Sequence, residues 1–243
     1  MTAITGGMNT YDPDFFVSLK KAEHNHFWFD VRRKWILDTL SNFAPPPANV
    51  LEIGCGTGYV SSFMASHGYK VVGCEYYKEA LGMAWAGFDK IQGSAYELPF
   101  ADKSFDIVGL FDVVEHFDDE LPLLQEARRV LKHGGLLILA VPARDELWSS
   151  IDNLSFHKRR YSPEDMNKLL RRSGVNPVSI KYTFMLLYLP MKLLRRKQAR
   201  EGELLKINQC INTIARLIFD MERIMSRYIK LPIGTSIIAA AKK

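Results

Sequence analysis

A run of glycines behind a short apolar segment carries the clearest chemical signal in the 243-residue sequence. Residues 50–53 have the pattern of a buried strand, and Gly54, Gly56 and Gly58 follow before a helical segment that begins at Tyr59. Glycines in such a turn let the backbone approach a ligand closely. A nicotinamide-dinucleotide loop would need a glycine where Tyr59 stands, and a phosphate-binding P-loop would need a Gly-Lys-Ser/Thr sequence. The turn therefore predicts a ligand of another kind.

Two acids suggest the chemistry of that ligand. Glu52 lies inside the first predicted strand, where it suits an amino or sulfonium cation better than a phosphate. Glu75 ends the next predicted strand, residues 70–75, and the carboxyl ends of strands in a doubly wound sheet face the binding crevice. A carboxylate there can accept two hydrogen bonds from a ribose. We therefore expect a nucleoside with a cationic tail, a description that S-adenosylmethionine fits.

Alternating strands and helices must position these residues. The predicted strands are residues 50–53, 70–75, 104–111, 135–141, 179–183 and 235–240, with helical segments between them. This alternation predicts an α/β fold with a doubly wound, mostly parallel sheet covered on both faces. A further helix is predicted over residues 14–40, and prolines at 45–47 end it.

Three stretches within residues 49–141 carry a resemblance to a known family: residues 51–58 (LEIGCGTG), 97–106 (ELPFADKSFD) and 126–135 (EARRVLKHGG). Together they resemble the class I S-adenosylmethionine-dependent methyltransferases. The resemblance implies a seven-stranded Rossmann-like sheet, S-adenosylmethionine as cofactor and S-adenosylhomocysteine as product. The proline stretch and the long segment without a strand pattern divide the chain into four predicted parts: an N-terminal helical cap (1–48), the cofactor-binding core (49–184), a helical insertion serving as lid or dimer element (185–230) and the last strand (231–243).

The resemblance also assigns site residues. Those expected around the cofactor are Arg32, Arg33, Glu52, Gly54, Cys55, Gly56, Gly58, Glu75, Tyr76, Ser94, Ala95, Phe111 and Asp112. Tyr76 is expected against adenine, Ser94 stands where the family often has an acid, and one of the two arginines is expected to pair with the cofactor carboxylate. Methyl transfer to a hydroxyl also needs a base, for which His116 and His157 are the candidates and Glu115 a third.

The sequence leaves the identity of the methyl acceptor open. Residues 23–33, 157–161 and 231–236 resemble bacterial methyltransferases of glycan and lipid-linked sugar pathways, which implies a small-molecule, glycan or lipid-linked acceptor. The alternatives are an RNA or protein methyltransferase and a non-catalytic cofactor-binding module. Nucleic acid ranks last, because no recognised RNA-binding module accompanies the basic residues.

Charge is unevenly distributed along the chain. Residues 1–150 hold 13 Lys and Arg against 20 Asp and Glu, whereas residues 151–243 hold 19 against 7. Lys158, Arg159 and Arg160 could attract an anionic acceptor. A second basic group could attract lipid headgroups: Lys192, Arg195, Arg196 and Lys197. A solvated run of charge is the simpler alternative.

A heptad-spaced apolar seam lies in the insertion: Leu204, Ile207, Ile211, Ile214, Ile218, Met221, Met225 and Tyr228. The simplest prediction is a long helix that packs this seam on its own domain. A homodimer through residues 204–228, a lid and peripheral contact with a membrane surface are the alternatives.

Composition excludes several classes of protein. A hydrophobic fraction of 47% and a charged fraction of 24% exclude a disordered or membrane-embedded chain. The three cysteines have no CxxC spacing, so we predict neither a metal site nor disulfides. Residues 1–10 lack a basic stretch followed by an apolar run, so no signal peptide is expected. The predicted location is the cytoplasm, with peripheral contact at the inner membrane face as an extension.

Overall fold

The computed structural model describes residues 13–194 and 207–243. A seven-stranded sheet has the strand order β3-β2-β1-β4-β5-β7-β6. The strands are β1 (Asn49–Ile53), β2 (Lys70–Glu75), β3 (Asp89–Gln92), β4 (Phe105–Phe111), β5 (Leu131–Pro142), β6 (Asn176–Thr183) and β7 (Ser236–Lys242). Strands β1 to β5 pair in parallel, and β7 is antiparallel to both β5 and β6. The predicted doubly wound, mostly parallel sheet is confirmed.

Helices cover both faces of this sheet. They are α1 (Pro13–Asn25), α2 (Phe27–Phe43), α3 (Tyr59–Ser66), α4 (Lys78–Gly82), α5 (Leu121–Val130), α6 (Ser150–Leu154), α7 (Pro163–Arg172), α8 (Tyr188–Leu194) and α9 (Gln209–Met225). Short 3-10 turns lie at Val114–His116, Asp145–Leu147 and Met185–Leu187. In the part of the chain that the structure describes, no helix is long and apolar enough to cross a membrane.

Two elements differ from the sequence pattern. The pattern misses β3, because its four residues DKIQ are mostly exposed at the sheet edge and carry little apolar signal. The helix predicted over residues 14–40 is two helices that part at His26. The His26 ring accepts a hydrogen bond from the Trp28 backbone N–H and so caps the start of α2.

The apolar core lies on both sides of the sheet. Leu123 of α5 and Met166 of α7 are buried on one face, and Ile36 of α2 and Met64 of α3 are buried on the other. Residues of α2 therefore share a core cluster with the sheet itself. The division of the chain into cap, core, insertion and last strand stays a prediction.

The insertion helix α9 packs on α2 through charged groups. The ion pairs across this contact are Asp30–Arg216, Lys34–Asp220, Asp38–Arg223 and, just beyond the end of α9, Asp38–Arg227. Among these charges Phe219 stacks on Phe27, with ring centroids 5.2 Å apart.

The heptad-spaced seam of α9 lies on the opposite side from this contact. Its described members include six exposed residues, Ile211, Ile214, Ile218, Met221, Met225 and Tyr228, whereas Ile207 is partly buried. The prediction that the seam packs on the domain is therefore wrong for these six residues. An amphipathic helix has two faces, and here the ion pairs with α2 hold the charged face against the domain and leave the apolar face in solvent. Leu204, Arg195, Arg196 and Lys197 lie outside the described residues.

Candidate functional site

The glycine turn at the end of β1 forms an open cradle. Gly54, Gly56 and Gly58 have φ values of 69°, 54° and 73°, a region that favours glycine. A Cβ on Gly54 or Gly58 would collide with Val113 or Phe88, at 2.7 and 2.1 Å. A Cβ on Gly56 would meet no atom of the described residues within 4 Å. The backbone at Gly56 thus faces open space, as close approach of a ligand requires.

Glu75 ties the end of β2 to this turn. Its Oε2 accepts a hydrogen bond from Gly56 N at 2.8 Å, and its Oε1 accepts from Tyr76 N at 2.8 Å and Tyr77 N at 3.0 Å. Burial raises the pKa of Glu75, and these three N–H donors oppose that rise. A carboxylate has about four acceptor positions, so one is left for a ribose hydroxyl. The carboxylate therefore holds the backbone of the turn in place.

The side chains of Glu52 and Cys55 are buried under the glycine turn and do not reach the open space beside Gly56. Glu52 is 3% exposed and accepts a hydrogen bond from Ser61 of α3, and burial raises its pKa to about 8. A carboxyl that is mostly neutral at pH 7 does not supply the negative charge expected beside a cationic tail. Cys55 is buried, its Sγ packs against Gly73, and burial raises the pKa of its thiol. Cys55 can therefore meet a ligand through its backbone only.

The structure brings Arg32 of α2 to the crevice. Its Nη2 lies 2.6 Å from Oδ2 of Asp112, the residue after β4, and its guanidinium lies 5.2 Å from the Trp28 ring. Asp112 has a φ of 56°, a left-handed conformation that is strained and often found at functional sites. Arg33, one position on, lies over Tyr59 and hydrogen bonds to Asp30 instead. Consecutive helix residues point about 100° apart, so only one of the two predicted arginines reaches the site.

Of the residues expected around adenine, some have side chains that a ligand could contact and others do not. Tyr76 is 46% exposed beside the crevice, where a ring is available for stacking. Ser94 Oγ accepts a hydrogen bond from Tyr96 N, and Ala95 lies within that turn, so both shape the loop after β3. Phe111 is buried in the core against α2 and can contact a ligand only through its backbone.

A contact that the sequence reasoning missed closes α1 over the glycine turn. Glu23 is 6% exposed and accepts hydrogen bonds from the Thr57 hydroxyl and from the Trp85 indole. The backbone N–H of Trp85 donates to the Thr57 carbonyl at 2.8 Å. Glu23 belongs to the stretch 23–33 that resembles the family's N-terminal cap, and no other feature of the sequence indicates this contact.

His157 is held by a buried carboxylate. Its Nδ1 lies 3.0 Å from Asp152 Oδ1, and Asp152 also accepts from Arg160 Nε at 2.8 Å and Nη2 at 3.0 Å. Burial raises the pKa of Asp152, but the hydrogen bonds from His157 and Arg160 outweigh burial and lower that pKa to about 2. An ionised Asp152 accepts only, so Nδ1 carries the proton and Nε2 of a neutral His157 is an acceptor.

Glu115 and His116 lie beside His157. Among the described residues, neither carboxyl oxygen of the fully buried Glu115 has a hydrogen-bond partner, and burial raises its pKa well above the usual range. Glu115 Oε1 lies 4.0 Å from His157 Nε2. Burial lowers the pKa of His116 to about 4, and its ring donates to backbone carbonyls that include Asp112.

One possible ligand atom from each of Glu115, His116 and His157 lies within 4.8 Å of the other two, which is close enough for the three to hold a metal ion. A ring whose pKa is lowered to about 4 is a weak proton acceptor near pH 7, which disfavours His116 as the base.

The basic residues expected to attract an anionic acceptor already have partners. Lys158 lies 3.3 Å from Asp118, Arg159 pairs with Glu120 at 2.6 Å, and Arg160 is the buried partner of Asp152. This stretch is therefore not a free cationic patch, which weakens both the anionic-acceptor and the RNA interpretations.

Comparisons with known proteins agree with this geometry. Residues 51–139 match the family described as "Methyltransferase domain". A probable S-adenosylmethionine-dependent methyltransferase of Mycolicibacterium smegmatis is 30% identical over 158 residues, which cover 63% of this chain and 60% of that protein. An uncharacterized protein of Methanocaldococcus jannaschii is 32% identical over 187 residues, which cover 72% of this chain and 85% of that protein.

A solved structure supports the fold. Phosphoethanolamine N-methyltransferase 2 of Haemonchus contortus, in complex with S-adenosyl-L-methionine, superimposes with a TM-score of 0.64 at 19% identity, over 98% of this chain and 60% of that one. The chain spans about half to three fifths of the length of the mycobacterial relatives that it matches.

Proposed function

Since the chain belongs to the class I S-adenosylmethionine-dependent methyltransferases, we propose that it transfers a methyl group from S-adenosylmethionine to a hydroxyl of a small-molecule, glycan or lipid-linked acceptor. The observation that carries the choice of a hydroxyl is the Asp152–His157 pair, which presents Nε2 as a proton acceptor 4.0 Å from Glu115 Oε1. A hydroxyl must lose a proton when its oxygen is methylated, and a positioned histidine can take it.

The cofactor-binding residues fit this cofactor class. The open backbone at Gly56 leaves room for a ligand, and Glu75 retains an acceptor position for a ribose hydroxyl. Tyr76 offers a ring face for adenine, and Arg32 beside Asp112 offers both charges for the amino and carboxylate groups of the methionine part. The cofactor itself supplies a methyl group bonded to a cationic sulfur.

The protein's residues would act mainly by alignment. The acceptor oxygen attacks the methyl carbon in line, the carbon–sulfur bond breaks, and its electron pair stays on the sulfur of neutral S-adenosylhomocysteine. His157 Nε2 takes the hydroxyl proton, and Asp152 stabilises the imidazolium that forms. Buried polar atoms without a partner cost about 1–3 kcal/mol each, so the carboxyl of Glu115 marks a polar subsite that an acceptor hydroxyl could complete.

An acceptor assay tests the proposal. Methyl-labelled S-adenosylmethionine would be incubated with nucleotide- and lipid-linked sugars and with wild-type, His157→Gln or His133→Gln protein, the last being an exposed control. We expect His157→Gln to bind S-adenosylhomocysteine like the wild type but to lose ~10²–10⁴-fold in kcat, with His133→Gln unchanged. Equal turnover by His157→Gln would eliminate it as the base.

We also propose a cytoplasmic location with contact to the inner face of a membrane. The support for the membrane contact is the exposed apolar surface of α8 and α9.

A further inference from the structure

The solvent side of α9 is apolar over its whole length. Seven of its residues, exposed by 43–62%, form what we name the apolar face: Ile211, Ile214, Leu217, Ile218, Met221, Ile224 and Met225. At about 100° per residue they occupy an arc of roughly 140° that contains no charged residue. The charged side of the helix is held on α2 by ion pairs. This orientation is the reverse of an ordinary surface helix, which buries its apolar side.

The apolar surface continues beyond α9. Leu186, Leu189 and Leu193 are exposed by 48%, 64% and 78%. Glu222 on α9 accepts hydrogen bonds from Met185 N and Leu186 N, at 2.7 and 2.9 Å, so this second group adjoins α9. Contiguous apolar patches of this extent mark sites of interaction with a protein or a membrane.

The charges around this surface are positive. Lys192 and Lys230 are exposed near it, whereas Arg227 is turned towards α2, where it pairs with Asp38. The two acids of residues 185–194 and 207–230 are occupied, since Asp220 pairs with Lys34 and Glu222 is buried. Within those described ranges no exposed carboxylate balances Lys192 and Lys230. The partner should therefore combine an apolar interior with an anionic outer layer.

We propose that the apolar face, together with Leu186, Leu189 and Leu193, docks on a lipid bilayer that carries anionic headgroups. α9 has 17 residues and is about 25 Å long, so it can lie in the plane of the interface with its apolar side chains among the acyl chains. The cations would meet the headgroups. Tyr228, which is 86% exposed at the end of α9, has the amphipathic ring typical of this interface.

A second copy of the chain fits this surface less well. A two-helix seam is narrow and is bordered by charges that pair across it, whereas Leu217 and Ile224 widen this arc on one side with further apolar residues. A symmetric contact would also bring the same cations of both copies to one interface. Charge complementarity therefore favours anionic lipid.

Vesicle sedimentation tests the proposal. Vesicles of equimolar phosphatidylglycerol and phosphatidylcholine, and vesicles of phosphatidylcholine alone, would be mixed with wild-type protein and with the triple variant Ile214→Ser, Leu217→Ser, Met221→Ser. A matched control replaces three exposed apolar residues elsewhere: Val17→Ser, Leu154→Ser, Val178→Ser. We expect partition onto the anionic vesicles to fall at least ~10-fold in the first triple variant and to stay unchanged in the control. Lys192→Gln with Lys230→Gln should weaken partition onto the anionic vesicles.

Thermal stability and S-adenosylhomocysteine titration of every variant keep the result separate from folding and from the cofactor site. Two results would overturn the proposal: a wild-type protein that does not sediment with anionic vesicles, or a first triple variant that sediments as the wild type does. A wild-type dimer in ultracentrifugation that the triple variant abolishes, without vesicle binding, would instead assign the surface to a second copy.

Discussion

Replacing Asp152 with asparagine perturbs the charge network that supports His157. The Asp152 side chain is fully buried and accepts two hydrogen bonds from Arg160, which is itself 8% exposed. The fall of the Asp152 pKa from 3.8 to about 2 corresponds to ~2 kcal/mol of folding free energy. Leaving a buried Arg160 without its anion raises the expected loss to ~3–5 kcal/mol.

Urea unfolding at pH 7 measures this loss. Asp118→Asn, at a carboxylate with 75% of its side chain exposed, is the control and should change stability by less than ~0.5 kcal/mol. Arg160→Gln in the Asp152→Asn background should cost much less than the same change in the wild type, because the two residues stabilise one another. A loss below ~1 kcal/mol for Asp152→Asn, with additive effects in the double variant, would refute the network.

The pH dependence has a defined sign. The pKa of Asp152 is lower in the folded state than its ordinary 3.8, so its contribution is present above about pH 4 and is lost as the pH falls towards 2. The stability difference between the wild type and Asp152→Asn should shrink over that range.

Three further predictions concern the cofactor side. Gly58→Ala should lower stability by ~2 kcal/mol or more in a thermal melt, because the new Cβ collides with Phe88 at a positive φ. Gly56→Ala should cost only the ~1–2 kcal/mol of its left-handed backbone and should weaken S-adenosylhomocysteine binding by a larger factor than Gly58→Ala does; the reverse order would contradict the cradle. Burial raises the Glu52 pKa from 4.5 to about 8, so wild-type stability should decline as the pH rises across that interval. Glu52→Gln should make this decline smaller and be ~2–4 kcal/mol more stable than the wild type near pH 8. A decline of the same size in both proteins between pH 5 and pH 8 would show that the Glu52 carboxyl does not cause it.

The glycine turn and Glu75 could be predicted because their chemistry is local. A strand, a turn and a helix follow one another within residues 49–66, and the acid at the end of β2 follows from the register of neighbouring parallel strands. The same reasoning could not choose between Arg32 and Arg33, since the rotation of α2 depends on what it packs against. Nor could it show that Glu52 turns towards Ser61 instead of the crevice.

Long-range charge pairing decided the features that the sequence left open. Lys158 and Arg159 look like free cations in the sequence, but Asp118 and Glu120 from another segment neutralise them. Pairing with α2 likewise selects which face of α9 is buried. Glu115 gave no sequence signal that both of its oxygens would be enclosed beside His157.

Calorimetric titration with S-adenosylhomocysteine tests the central claim most directly. The wild type should bind one molecule per chain with micromolar affinity. Glu75→Gln keeps one acceptor oxygen, but its N–H₂ group must face either the Gly56 donor or the Tyr76 and Tyr77 donors, so it should bind at least ~10-fold more weakly. Absence of binding by the wild type, or equal affinity in a folded Glu75→Gln variant, would contradict the assignment of this crevice as the cofactor site.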